Sequence, residues 1–338
     1  ATFFFTVVPF LLGYLVVPDP YQLAGLRRGT TALLQQGSGQ ALTGANVGIG
    51  KDVARQLALR PEIGRIYLAC RNRDRASTAK ADLEAVTGRR IFDIILMDVA
   101  DLGSVRAGLA AIDGSLDGLV MNAGVIGNKT LMELTADGVT TLFATNVLGH
   151  AVLLEGLLTD NRLSEVAVFA ASEAARGIPK LGFKRPTFVS TSTDELTTVI
   201  DGSYFADRKY DQNLAFGQVK YIGALWMAYL ARHHPDLRFI TVSPGNTTGT
   251  EAAAGAAPPL RFAAKHIMPR LGISHELAVG SKRLVDGVTD PTLSSGVFYA
   301  SAAGKLKGAM VDQADIFPDL ANPSFQDHAN EAIHRFIT

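Results

Sequence analysis

From residue 40 onward the chain alternates two patterns. Short apolar runs rich in β-branched residues are separated by stretches whose apolar positions recur every three or four residues. The runs predict strands at 40–43, 65–69, 93–97, 118–122, 166–171, 238–242 and 296–299. The stretches at 51–59, 104–111 and 212–231 predict amphipathic helices. Strand and helix in steady alternation imply an α/β chain: a doubly wound parallel sheet with helices on both faces. Ligands of such a sheet bind at the carboxyl ends of the strands. The interval 173–211 breaks the rhythm. It holds Pro179, Pro186 and the run Ser190-Thr191-Ser192-Thr193, and reads either as an insertion close to the substrate side or as a surface loop.

The first 37 residues stand apart as an apolar N-terminal extension and linker, ahead of a single domain over 38–338. Residues 1–18 carry no charged side chain and are almost wholly apolar, apart from Thr6, Pro9 and Gly13. A membrane-spanning helix needs about 20 apolar residues, and Pro9 would kink one. The stretch therefore reads as a membrane anchor or membrane-surface helix, or as a segment packed on this protein or on a membrane-protein partner. Arg27 and Arg28 would place the main domain of an anchored chain on the cytoplasmic side. The stretch 35–39 is the candidate linker.

Composition narrows the chemistry. Lysine plus arginine and aspartate plus glutamate both number 32, so there is no basic excess for a nucleic acid. The single cysteine, Cys70, cannot form an internal disulfide, which points to a reducing compartment. Neither HExxH nor CxxC occurs, so no metal site is expected.

A cofactor site is expected instead. Gly44, Gly48 and Gly50 follow the first strand and open a helix. They would let a pyrophosphate approach the helix amino terminus, with Asn46 and Ile49 in the same turn. The second strand ends in Cys70-Arg71-Asn72. An acid there would bind ribose hydroxyls; Arg71 instead suits a 2′-phosphate and favours NADP(H) over NAD(H). Asp98 and Val99 end the third strand, where the aspartate can face an adenine ring. Asn122, Ala123 and Gly124 end the fourth, where small residues leave room for a ribose. After the sixth strand, Pro244, Gly245, Thr247 and Thr248 offer backbone and hydroxyl groups to a nicotinamide carboxamide.

The order TGANVGIG at 43–50, LACRN at 68–72, MDVADLGSVR at 97–106, LDGLVMNAGV at 116–125 and FATNVLGH at 143–150 resembles the short-chain dehydrogenase/reductase family over about residues 38–300. The long interval before the helix at 212 and the stretches 276–280 and 295–299 are similar to its retinol-dehydrogenase and protochlorophyllide-reductase branch. The resemblance implies a Rossmann fold and an Asn-Ser-Tyr-Lys active site. Asn146 matches the asparagine, Ser172 the carbonyl-polarising serine (or simply a capping serine), and Lys220 the lysine that grips the nicotinamide ribose. Four residues before Lys220, where the family's tyrosine belongs, stands Phe216. It lacks the hydroxyl that exchanges the proton, a loss worth about 10²–10⁴ in rate. Tyr221, Tyr204 and Tyr210 are the neighbouring tyrosines, and none is an obvious replacement. Three readings stay open here: a deliberate Tyr-to-Phe variant, a natural pseudoenzyme, or an enzyme with its proton donor elsewhere.

The function expected is an NADP(H)-dependent reductase or dehydrogenase of a small apolar carbonyl or alcohol, impaired by Phe216. The alternative is a catalytically silent subunit of a membrane-associated assembly. By resemblance, a homodimer would pair through the helix at 212–232.

Overall fold

The computed structural model describes residues 38–126, 129–179, 182–248 and 274–337. The apolar stretch 1–18 and most of the linker lie outside them. So does the end of the loop after the sixth strand, from Gly249.

Strands β1 (Ser38–Thr43), β2 (Ile63–Cys70), β3 (Phe92–Leu96), β4 (Leu116–Met121), β5 (Leu163–Ala170), β6 (Arg238–Val242), β7 (Phe298–Ser301) and β8 (Met310–Asp312) form one sheet in the order β3-β2-β1-β4-β5-β6-β7-β8. All neighbours run parallel except β7 and β8, which are antiparallel. Three half-buried residues form β8, too few to announce a strand by periodicity.

The strands are apolar on both faces because helices cover both. Alternation along β5 shows the division. Val166 and Val168 join Leu42, Ile66, Leu68 and Val120 under α1 (Gly48–Ala58), α2 (Arg73–Thr87) and a later helix, Leu277–Thr289. Ala167 and Phe169 face the other way, with Tyr67, Leu119 and Met121, under α3 (Leu102–Ala111), α4 (Gly149–Thr159) and α6 (Gln212–His233). The intervening α5 (Thr193–Ile200) and the last two helices, α7 (Leu277–Thr289) and α8 (Pro323–His334), complete the layers. The order reverses between β1 and β4, which opens a crevice at their carboxyl ends.

One expectation changes, and two further elements are placed in the fold. The interval 173–211 is partly core: Glu173 through Ile178 are buried, and α5 packs Leu196, Val199 and Ile200 inward. The helix offered for dimerisation is covered by its own chain. Residues 215–228 of α6 are buried without a break, and Arg232 bonds to Gln326 and Asp327 of α8. Lastly, one stretch among the described residues, Thr141–Thr159, is apolar and long enough to cross a membrane. It is 72% buried within the fold, as a core helix would be.

Candidate active site

The chain leaves β1 through a turn that only glycine suits. Gly44 takes a φ of +66° and donates its N–H to the Ala69 carbonyl at 2.9 Å. A Cβ on Gly50 would lie 2.2 Å from the Gly44 carbonyl oxygen, so the first turn of α1 presses directly on the loop. Val47 precedes α1 and supplies no side-chain cap. The N–H groups that open this helix are thus left for a ligand rather than a side chain. Asn46 lies in the turn, and Ile49 is packed on the core.

Thr43, the last residue of β1, locks this loop to the end of β4. Its hydroxyl oxygen accepts from the N–H groups of Asn122 at 2.9 Å and Ala123 at 3.0 Å. The Asn122 side chain donates back to the Thr43 carbonyl at 3.1 Å. The Thr43 proton is left for His150 Nε2, 3.0 Å away. His150 Nδ1 then donates to the Asn146 carbonyl at 3.3 Å, so the ring is neutral with its proton on Nδ1. Complete burial, and then the Lys220 charge, push the His150 pKa down to about 3. The motif at 143–150 ends on this histidine, to which the sequence pattern assigns no role.

Asn146 sits in a single π-helical turn, Ala144–Leu148, between the helical turn Thr141–Phe143 and α4. Its amide donates to the Leu142 carbonyl at 2.9 Å and to the Val125 carbonyl at 3.0 Å. Its Oδ1 is buried with no partner and faces Gly124, where a Cβ would stand 2.7 Å from it and 3.4 Å from Lys220 Nζ.

Lys220 is buried, and its Nζ donates to the Ala170 carbonyl at 2.8 Å. It lies 5.0 Å from the ring centroid of Phe169 and 5.9 Å from that of Phe216. Burial pushes its pKa down to about 7. Phe216 and Lys220 share one face of α6, as their four-residue spacing requires. Gly217 lets α6 approach closely: its Cβ would stand 2.7 Å from the carbonyl of Ala174, in the short 3₁₀ turn Glu173–Arg176. Ser172 caps that turn by accepting from Ala174 N–H at 3.2 Å. Its hydroxyl proton stays available, so the capping role and a donor role coexist.

The remaining candidates fall as follows. Arg71 and Asn72 are exposed at the carboxyl end of β2, and Asn72 caps α2 by accepting from Arg75 N–H at 2.9 Å. Cys70 beside them is buried, and burial pushes its thiol up to about 11, which makes it a packing residue. Asp98 accepts from Ala100 N–H at 3.0 Å, and Val99 is buried. Past β6 the hydroxyl protons are already used. Thr247 donates to the Pro244 carbonyl at 3.0 Å, and Thr248 to the His275 carbonyl at 3.0 Å. The threonines can thus accept from a carboxamide but not donate to it. Gly245 takes a φ of +71° beneath His275.

The three tyrosines are held in aromatic contacts. Tyr221 is stacked between Phe188 and Phe317, 5.9 Å and 5.3 Å away. Its hydroxyl is buried and unpartnered, and burial raises its pKa, with the Asp319 charge adding to the rise. Tyr204 packs on Phe188 and Phe205, and Tyr210 on Phe205, in the same aromatic run.

Comparison with known proteins gives a family likeness. Residues 41–178 match the short chain dehydrogenase family. Retinol dehydrogenase 11 of Mus musculus is 37% identical over 154 residues, 45% of this chain and 47% of that protein. Retinol dehydrogenase 12 of Bos taurus is 38% identical over 148 residues, 42% and 45% of the two chains. The chain thus aligns with about half the length of these curated relatives. Among solved structures, L-sorbose reductase from Gluconobacter frateurii shares the fold with a TM-score of 0.58, at 20% identity, over 81% of this chain and 98% of that one.

Proposed function

We propose that the chain is a short-chain dehydrogenase/reductase of the retinol-dehydrogenase-like branch, an NADP(H)-dependent oxidoreductase of small apolar carbonyl or alcohol compounds impaired by Phe216. The observation that carries the reading is the shared face of Phe216 and Lys220 on α6, beside Asn146. It is the family's proton-transfer constellation with one oxygen missing.

The residues present fit a dinucleotide. The uncapped start of α1 and the Gly44–Gly50 contact make a cradle that a Cβ would fill. Arg71, exposed beside it, suits a 2′-phosphate. Asp98 and Val99 border the adenine side, Asn122 to Gly124 the ribose, and Pro244 to Thr248 the carboxamide. When bound, NADP(H) supplies or takes the hydride. Ser172 would hydrogen-bond to the carbonyl oxygen through its hydroxyl and polarise it. Lys220, whose pKa burial lowers to about 7, would hold the ribose and has no phenol to act through.

The apolar substrate would take the cleft of about 240 Å³ between the segments 129–134 and 201–210, which follow β4 and precede α6. Met132, Leu134, Phe205 and Tyr210 line it, with Lys129 and Asp201. Residues 1–18 would hold the enzyme at a membrane, where such substrates partition.

The test is titration of the full chain with NADPH and NADH, followed by a panel of aldehydes, ketones and retinoid-like carbonyls on Phe216→Tyr. NADPH binding followed by reduction of some panel member supports the proposal. A Phe216→Tyr protein that binds NADPH and reduces nothing would speak for the silent-subunit alternative.

A further inference from the structure

We propose that Glu173 is a positioning residue, which holds the carbonyl-polarising Ser172 and the nicotinamide loop Pro244–Thr248 in one fixed relation through a buried clamp with Arg283. The inference rests on the reading of those two elements given above.

Glu173 directly follows Ser172, yet its side chain turns away from solvent and is 2% exposed. Its Oε2 accepts from the Ser243 hydroxyl at 2.6 Å, and that hydroxyl oxygen accepts from Gly245 N–H at 3.0 Å. Oε1 accepts from Ser301 N–H at 3.1 Å, at the end of β7. Arg283, on α7 and 4% exposed, stands 3.7 Å from Oε1. It donates to the Ser243 carbonyl at 3.0 Å, to the Ser301 hydroxyl at 3.0 Å and to the Gly308 carbonyl at 2.8 Å. Three residues after Glu173, buried Arg176 donates to the Ser301 carbonyl at 3.0 Å and to Gln313.

The turn Glu173–Arg176 is therefore held on two sides. The charged network ties it to the ends of β6 and β7. On the other side, the Ala174 carbonyl abuts Gly217, next to Phe216 on α6. A buried ion pair is costly to assemble and is a poor source of net stability. What this one supplies is geometry: the carboxylate sits between the segment that faces the substrate carbonyl and the loop that faces the nicotinamide. Hydride transfer needs those two ends aligned to within a fraction of an ångström.

Two variants test the clamp. Ser243→Ala removes the hydroxyl link but keeps the carbonyl that Arg283 uses; Glu173→Gln removes the charge. Each is titrated with NADPH and with 2′,5′-ADP, which reaches only the adenosine half. Amide hydrogen exchange is followed across 172–177 and 244–248 without nucleotide. Both variants should bind NADPH about tenfold more weakly, with 2′,5′-ADP affinity unchanged within twofold. Both segments should exchange about tenfold faster, together. If Glu173→Gln does not fold, Ser243→Ala decides alone. Unchanged NADPH affinity, an equal loss for both nucleotides, or faster exchange in one segment only would overturn the proposal. Should neither nucleotide bind the unchanged chain, the cofactor reading falls, and the paired exchange rates still decide the clamp.

Discussion

Lys220 Nζ stands 5.9 Å from the centroid of the Phe216 ring and 2.8 Å from the Ala170 carbonyl, so an ammonium is held beside an aromatic ring that has no oxygen to offer it. Phe216→Tyr adds that oxygen one helical turn from Lys220. The substitution should raise NADPH-dependent carbonyl reduction by about 10²–10⁴. On that background Ser172→Ala should lower kcat and leave NADPH affinity unchanged. Steady-state rates with the best panel substrate check both statements. High activity in the unchanged chain would contradict the impairment.

Arg71 is expected to set nucleotide preference. A charge-assisted hydrogen bond is worth about 1.5–3 kcal/mol, or roughly tenfold to a hundredfold in affinity. NADPH should bind more tightly than NADH by that order, and Arg71→Ala should remove most of the difference. Calorimetric titration of both nucleotides into both proteins measures it; equal affinities in the unchanged chain would exclude the role.

Gly50→Ala should abolish nucleotide binding. The added carbon would meet the Gly44 carbonyl oxygen at 2.2 Å and the Asn122 amide nitrogen at 2.6 Å, and the former is backbone that cannot swing aside. Overpacking of this kind costs about 1–3 kcal/mol. Thermal melting should show that loss in a protein that still folds, and NADPH titration should show no binding. An alanine variant that binds normally would mean that the loop is not the pyrophosphate site.

Acid stability should depend on His150. Above pH 6.5 its ring is neutral in folded and unfolded chains alike and contributes no pH dependence. Between pH 6.5 and about 3 the unfolded chain takes up a proton that the folded chain refuses. Each unit of acidification in that window should therefore cost about 1.4 kcal/mol. His150→Gln keeps an acceptor for Thr43 and removes the titration. Its melting temperature should fall less than that of the unchanged chain between pH 7 and pH 5. Parallel curves would show that the histidine is not responsible.

What the sequence revealed and what it hid differ by the range of the interactions. The apolar runs of β1 to β7, the glycines at 44, 48 and 50, and the spacing of Phe216 and Lys220 are local patterns, and each was legible. The Glu173–Arg283 pair joins residues 110 positions apart in sequence, and no local periodicity marks a buried charge. The same holds for Thr43 and His150, separated by 107 positions. Thr247 and Thr248 were read as free hydroxyls because composition does not reveal that their protons close the loop on itself. Ser190 and its hydroxyl-rich neighbours were read either as part of an insertion near the substrate side or as a surface loop. The sequence did not reveal that the N–H groups of Val189, Ser190 and Thr191 converge on the Glu195 carboxylate.

The π-helical turn at Ala144–Leu148 has a consequence for length rather than for composition. A turn of this kind carries one residue more than the α-helix around it would. Here the surplus lets the Asn146 amide reach the Leu142 and Val125 carbonyls, while Gly149 closes the wide ring onto the Ala144 carbonyl. Deleting a single residue from the turn would restore a regular helix and swing every later side chain of α4 by about 100°. His150 would rotate away from Thr43, and Leu153, Leu154 and Leu157 would leave the core. The segment therefore admits no change in its number of residues: a one-codon deletion there would undo the Thr43–His150 contact and the core packing of α4 together.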